Sequence, residues 1–189
     1  MITIAWDIDC TLNDYILEIL KYINYHRGTN FQLNDTTHYN LTKCLPFQEK
    51  EIWGYLDNFK LEGKYILLKP NSEILQWLKK YGDNFHHIAL TACSVKTASI
   101  SAQWLFTYLG NWFRGFYFVP SNRDEKHIEY DKNKIEWLKR HKVDIYIEDN
   151  EDNYLQAKKL GIECYLIKQP WNNGEPVKEI LKKITRRIK

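Results

Sequence analysis

Two aspartates two residues apart, Asp7 and Asp9, stand directly after an apolar run (Ile2–Trp6) near the start of the chain. On an extended segment leaving a strand, side chains at this spacing point the same way. Packed carboxylates repel, so such a cluster favours a divalent cation that neutralises it. A small set of hard oxygen ligands, with room for waters and a phosphate, suits Mg2+ better than zinc. A carboxylate held by such a cation can attack phosphorus. Its neighbour can protonate the leaving oxygen and later activate water. Alone, however, Asp-x-Asp serves equally well as a strand-end pair capping the next helix.

The argument therefore turns on what other elements deliver to the same place. Five short apolar, β-branched or aromatic segments bounded by polar turns read as buried strands: 2–6, 87–90, 116–119, 144–147 and 163–167. Helical patterns separate them, notably 94–109, 133–141 and 151–160, the last stopping at Gly161. Such alternation builds an α/β fold, a three-layer Rossmann-like parallel sheet of about five strands covered by helices on both faces. Ligands of these sheets bind beyond the carboxyl ends of the strands. Asp7, Asp9 and Thr11 follow the first strand, Thr91 and Ala92 the second, and Glu148, Asp149 and Asp152 the fourth. Carboxylates and hydroxyls thus converge on one rim from segments far apart in sequence.

The first strand is followed by a helix over roughly 12–26, yet the next strand waits until about residue 87. A gap of that length exceeds a simple crossover. Residues 15–68, with a polar stretch at 30–40 and a helix-like run at 47–59, read as a small helical cap. Residues 1–14 and 69–189 read as the core, re-entered through a helix at 72–81.

Composition bounds the partners. The 189 residues carry a net charge of +3 with no basic stripe interleaved with aromatics, which argues against a nucleic-acid polymer as partner. Basic residues gather at the C-terminus (Lys178, Lys182, Lys183, Arg186, Arg187, Lys189) around Val177, Ile180, Leu181, Ile184 and Ile188 at helical spacing. A final amphipathic helix docked on the core is expected there. Cys10, Cys44, Cys93 and Cys164 form no Cys-x-x-Cys pair, so neither zinc nor a disulfide framework is suggested. With no leader pattern or membrane-length apolar run, a cytoplasmic protein without a membrane partner is the expectation, and a homodimer stays open. Neither a Gly-x-Gly-x-x-Gly nor a Gly-x-x-x-x-Gly-Lys-Ser/Thr loop is present.

Three segments resemble, in order, motifs of the haloacid dehalogenase-like (HAD) phosphatases: ITIAWDIDCTL, HIALTA ending in the Thr91 region, and DIYIEDNED. The resemblance implies Mg2+ as cofactor, Asp7 as nucleophile and metal ligand, and Asp9 as general acid/base that also binds the metal through its backbone carbonyl. It implies Thr91 and the Ala92 N–H as phosphate holders and Asp149 as a direct metal ligand. Thr11 and Glu148 would support them, Glu148 standing where the family usually has Gly or Asp, and Asp152 would act through a metal-bound water. The family's third motif is a lysine before the fourth strand. Lys134 is favoured because Ile135 and Leu138 follow it directly, with Lys132 and Lys126 as alternatives.

Three further segments, NDTTHYNLTK, LKPNSEILQWLKK and QPWN, resemble the deoxyribonucleotide 5′-nucleotidase branch, whose small helical cap follows the first motif. This implies a small phosphate ester as partner, a nucleoside monophosphate first. Phe31, His38, Tyr39, Phe47, Trp53 and Tyr55 are candidates for a base-stacking wall, of which one or two would serve. A sugar phosphate, or a silent phosphate-binding regulator on the same scaffold, are the competing readings. Cys10 lies inside the first of these motifs and Cys93 just after Thr91; buried inert thiols are favoured there over a redox pair.

Overall fold

The computed structural model describes residues 1–121 and 131–188. Lys126, one of the lysine candidates, and Lys189 lie outside the described residues. Five parallel strands, β1 (Ile2–Trp6), β2 (Phe85–Ala92), β3 (Phe113–Val119), β4 (Ile145–Glu148) and β5 (Glu163–Leu166), form one sheet in the order β3-β2-β1-β4-β5. The first strand is thus central, and the chain winds outwards from it in both directions. The helices are α1 (Tyr15–Arg27), α2 (Glu49–Leu61), α3 (Ser72–Tyr81), α4 (Val95–Leu109), α5 (Lys134–Arg140), α6 (Glu151–Lys158) and α7 (Val177–Thr185).

Strand alternation divides the core into two layers. Ile4 and Trp6 of β1 face one side, with Phe113, Ile145 and Ile147, and α3, α4 and α7 cover them with Trp77, Leu78, Trp104, Leu105, Ile180 and Ile184. Ala5, Ile88, Leu90 and Tyr146 face the other side, beneath Ile135, Trp137 and Leu138 of α5 and Ala157 of α6. Each such aliphatic side chain contributes about 1.5–3 kcal/mol when fully buried, so both helical layers are firmly held to the sheet. The basic C-terminal helix docks as its pattern implies: α7 packs on α3, and Trp77 Nε1 donates to Thr185 Oγ1 at 2.8 Å. His87 is fully buried beneath the first layer. It accepts from Trp6 Nε1 at 3.0 Å, which leaves its other nitrogen to donate to the Gly82 carbonyl at 3.0 Å.

Several boundaries depart from the sequence expectation: β2 and β3 start earlier, at Phe85 and Phe113, and the first two helices start later. The first helix begins at Tyr15, not near Leu12, because residues 8–14 form a tight turn. Thr11 and Leu12 N–H groups donate to the Ile8 carbonyl, and Cys10 takes a left-handed backbone with φ 65°. The helix expected at 47–59 instead runs Glu49–Leu61 with Gln48 at its start, just beyond Pro46 and Phe47. The polar stretch before it contains two short 3-10 turns, Leu33–Asp35 and Leu41–Lys43. Among the described residues no helix is long and apolar enough to cross a membrane.

Candidate active site

Adjacent parallel strands bring the acids of β1 and β4 together. The Asp7 N–H donates to the Ile147 carbonyl at 2.9 Å, aligning the loop after β1 with the loop after β4. As a result Asp7, Glu148 and Asp149, all buried, bring carboxylate oxygens within 4.8 Å of one another. Lys134, at the start of α5 and 4% exposed, donates to Asp7 Oδ1 at 2.5 Å and to Glu148 Oε2 at 2.9 Å. Lys132 is exposed two residues earlier. Asn133 sets the geometry by capping α5, accepting from the Glu136 N–H at 2.9 Å, so that the first helical residue points inward.

The three acids are not equivalent. Glu148 is saturated: Lys134, the Tyr146 hydroxyl, Asn153 Nδ2 and the N–H groups of Asp149 and Asn150 all donate to it. Burial works against its charge, but Lys134 and these donors outweigh burial and hold its carboxyl below the usual range. It therefore acts as a fixed counter-charge for Lys134. Asp7 is different. Burial, with repulsion from Glu148 and Asp9, pushes its carboxyl up to about 7 despite Lys134. Burial, then repulsion from Glu148 and Asp7, raises Asp149 well above its ordinary value. Two buried carboxylates that resist ionisation side by side, offering oxygen as their ligand atoms, fit a hard divalent cation better than a soft metal. Lys134 itself is pulled upward by Asp7 and Glu148 although burial opposes its charge.

These groups form the floor of a cavity of about 370 Å³. Asp7, Asp9, Thr91, Ala92, Lys134 and Asp149 all line it. Thr11 is buried but does not line it, and its hydroxyl oxygen has no hydrogen-bond partner. Asp152 is exposed in the first turn of α6, outside the lining. The roof comes from the stretch between β1 and α3. Tyr39 and Trp53 line the cavity, together with Asn40, Thr42, Glu49 and the late residue Trp171. Phe31, Phe47 and Tyr55 instead stack within the insert, Phe31 on Phe47 at 5.7 Å and Phe47 on Tyr55 at 6.1 Å between ring centres. His38 Nδ1 accepts from the Asn40 N–H at 3.0 Å. Cys10 is buried at the cavity edge, and burial, then Asp149, drives its thiol well above the ordinary value, as expected for an inert thiol.

Two sets of residues here carry no role in the sequence reading. Gln169 and Asn172 bind the acidic loops by their backbones: Gln169 Nε2 donates to the Cys10 carbonyl and Asn172 Nδ2 to the Asp149 carbonyl, both at 2.7 Å. The QPWN segment had only signalled a resemblance; its geometry gives it the task of tying the loop after β1 to the loop after β4. Gly174 lets that segment turn back on β5, since a Cβ there would collide with the Leu166 carbonyl oxygen. The second set is Lys60, Tyr65 and Ser101, gathered around Asp9. Lys60 is 1% exposed and donates to Asp9 Oδ2 at 2.9 Å. A hint was available, since Lys60 continues the Ile52, Leu56 stripe at i+4 spacing.

No protein-family model matches the chain. Its fold is that of the HAD-like hydrolases: it superposes over its full length on a haloacid dehalogenase-like family hydrolase from Streptococcus pneumoniae, with a TM-score of 0.64, 15% identity and 99% of that chain covered. Sequence similarity reaches a narrower group. A Bacillus subtilis protein named "Putative nucleotidase YqfW" is 28% identical over 176 residues, covering 91% of this chain and 83% of the relative. A Halalkalibacterium halodurans protein of the same description is 28% identical over 169 residues, covering 88% of this chain and 79% of that one. In fold the chain is HAD-like, and in sequence it is nucleotidase-like.

Proposed function

We propose that the chain is a Mg2+-dependent phosphomonoesterase working through an aspartyl-phosphate on Asp7, and that its substrates are nucleoside monophosphates. The observation that carries this reading is the floor of the cavity, where Lys134 pairs with Asp7 while Asp149 and Asp9 stand beside it. Asp7, Asp149 and the Asp9 carbonyl would hold magnesium, whose charge would favour ionised Asp7 and neutralise phosphate oxygens. Lys134 and Thr91, with the Ala92 N–H, hold the phosphate at the floor. Asp7 attacks phosphorus, the ester P–O bond breaks, and Asp9 gives its proton to the departing alkoxide. Asp9, now a carboxylate, removes a proton from water as that water attacks the phosphorus. The bond to Asp7 breaks and inorganic phosphate leaves.

Three features support the substrate class. The cavity, about 370 Å³, is of small-molecule size. Tyr39, Trp53 and Trp171 offer aromatic faces to a base, and Asn40, Thr42 and Glu49 offer polar groups to its edge or to sugar hydroxyls. Two relatives are named as nucleotidases. Residues 15–68 act as the cap that supplies this recognition surface to a catalytic core of residues 1–14 and 69–189.

A panel of nucleoside monophosphates and sugar phosphates, assayed for phosphate release with Mg2+, tests the reading. Nucleotides are expected to lead by kcat/KM. Asp7→Asn is expected to lower kcat by at least about 10³-fold while the protein still unfolds cooperatively. Sugar phosphates leading the panel would move the substrate assignment and keep the chemistry. An active Asp7→Asn variant would remove the nucleophile.

A further inference from the structure

Asp9, the acid/base of the proposed reaction, is held from the insert. Lys60, near the end of α2, donates to Asp9 Oδ2 at 2.9 Å, and Tyr65 donates to Asp9 Oδ1 at 2.5 Å. Both oxygens therefore have a fixed donor. Neither donor is free to wander. Lys60 Nζ also reaches Ser101 Oγ on α4 at 3.0 Å, and it lies 4.3 Å and 4.9 Å from the ring centres of Tyr65 and Tyr15. The Tyr65 hydroxyl accepts from Asn13 Nδ2 at 3.3 Å, and Asn13 Oδ1 accepts from the Cys10 N–H, which ties the clamp back to the turn that carries Asp9.

Stability alone gives little reason for this lysine. An ammonium only 1% exposed loses its hydration, at a cost of several kcal/mol, and Asp9 is 22% exposed and so a partly screened partner. An apolar side chain at the same place on α2 would pack between the two tyrosine rings without that cost. The arrangement does accomplish one thing. It fixes both the rotation and the position of a carboxylate on the cavity wall, where general acid catalysis depends on a proton donor standing within hydrogen-bond reach of the leaving oxygen.

We propose that Lys60 and Tyr65 are positioning residues for Asp9, orienting its carboxyl toward the leaving-group oxygen. The proposal rests on the functional reading above. It predicts a loss that depends on how much the leaving group needs a proton. A nucleoside monophosphate expels a poor alkoxide, whereas p-nitrophenyl phosphate expels a stable phenolate that leaves without protonation. kcat/KM covers only the steps through transfer to Asp7, so the later hydrolysis of the phospho-enzyme does not obscure the comparison.

Lys60→Met and Tyr65→Phe would be assayed against the wild type on both esters with saturating Mg2+. Lys60→Met is expected to lose about 10²-fold in kcat/KM on the nucleotide and less than about threefold on the aryl ester, the nucleotide loss falling in kcat and not in KM. Tyr65→Phe, which keeps the ring in the core, is expected to show the same selectivity at about tenfold, and it decides the matter if Lys60→Met does not fold. Equal losses on the two esters, or no loss on either, overturn the positioning role while the phosphatase reading stands. A wild type that cleaves neither ester overturns both.

Discussion

Lys134 and Lys60 are buried lysines that each meet one of the two motif aspartates, and they do so from opposite parts of the molecule. Lys134 comes from the core, starts a capped helix, and sits between two carboxylates with 6% and 0% exposure. Lys60 comes from the insert and has one partly exposed carboxylate, one hydroxyl and two tyrosine rings. Lys134 is thus part of a closed charge cluster whose members cannot do without it. Lys60 is a clamp whose charge is only partly answered. Asp7, the proposed nucleophile, is pinned by the sheet and its helices, and Asp9, the proposed acid/base, by the segment that also roofs the cavity.

The largest effect expected from this difference is in stability. Lys134→Met leaves Asp7 and Glu148 buried without their cation, and should cost about 3–5 kcal/mol. Activity should fall by at least about 10³-fold, since the phosphate and Asp7 lose the same charge. Lys60→Met leaves Asp9 near solvent and still bonded to Tyr65, so it should cost no more than about 1–2 kcal/mol. Urea titrations of the two variants against wild type measure both figures. Equal losses would mean that the two lysines do the same structural work, and the contrast would fail.

Magnesium binding sharpens the comparison at a smaller scale. Asp7 is raised to about 7 by burial and by Glu148 and Asp9, so protons compete for it below that pH. Apparent Mg2+ affinity by calorimetry should therefore be about tenfold weaker at pH 6 than at pH 8, about 1.4 kcal/mol. The sign for folding follows from the same shift. Without metal, a carboxyl raised above its unfolded value contributes stability that is present in acid and lost as pH rises through about 7. His87, held neutral by burial with its value lowered to about 4, acts in the opposite sense, its contribution being lost as pH falls from about 6.5 to 4. Comparing stability with and without Mg2+ separates the joint share of Asp7 and Asp149, both raised by burial, from that of His87. Lys60→Met should change the pH dependence of Mg2+ affinity little, because its partner Asp9 is the smallest of the causes that raise Asp7. A clear change would join the two clusters into one.

Much of the core side is legible from the chain alone, and the reason is geometric. Parallel strands must end on one rim, so Asp7, Thr91 and Asp149 are located once the strands are found, whereas a lysine is expected there only through the family resemblance, which favours Lys134 over Lys132 by the apolar face behind it. The insert obeys no comparable rule. Lys60 lies on the Ile52, Leu56 stripe of α2, where a lysine reads as a long side chain reaching past the core to water. Only the tertiary approach of α2 to Asp9 and Ser101 shows that it does not reach water. The same limit explains the stacking candidates. Periodicity cannot tell Trp53, which lines the cavity, from Phe47 and Tyr55, which pack inside the insert. The first helix, expected from about Leu12, starts three residues later at Tyr15, because nothing in the apolar pattern marks the tight turn in which Cys10 takes a left-handed backbone.

The smallest test asks whether the core cluster depends on the helix that follows it. Asn150 caps α6 directly after Asp149, accepting from the Asn153 N–H at 3.0 Å. Asn71 caps α3 in the same way, accepting from the Glu73 and Ile74 N–H groups at 3.0 and 3.2 Å, and its backbone bonds the Leu12 carbonyl and not the loop that carries Asp149. Alanine at either place should cost about 1 kcal/mol, or about 2–4 °C in Tm. The consequences should then diverge. Asn150→Ala loosens the backbone that carries Asp149 and the N–H groups bonded to Glu148, so Mg2+ affinity should weaken by about threefold, whereas Asn71→Ala should leave it unchanged. Equal Mg2+ affinity in the two variants would mean that Lys134, Tyr146 and Asn172 hold the acids in place without help from α6, placing the rigidity of the core cluster in its side-chain contacts.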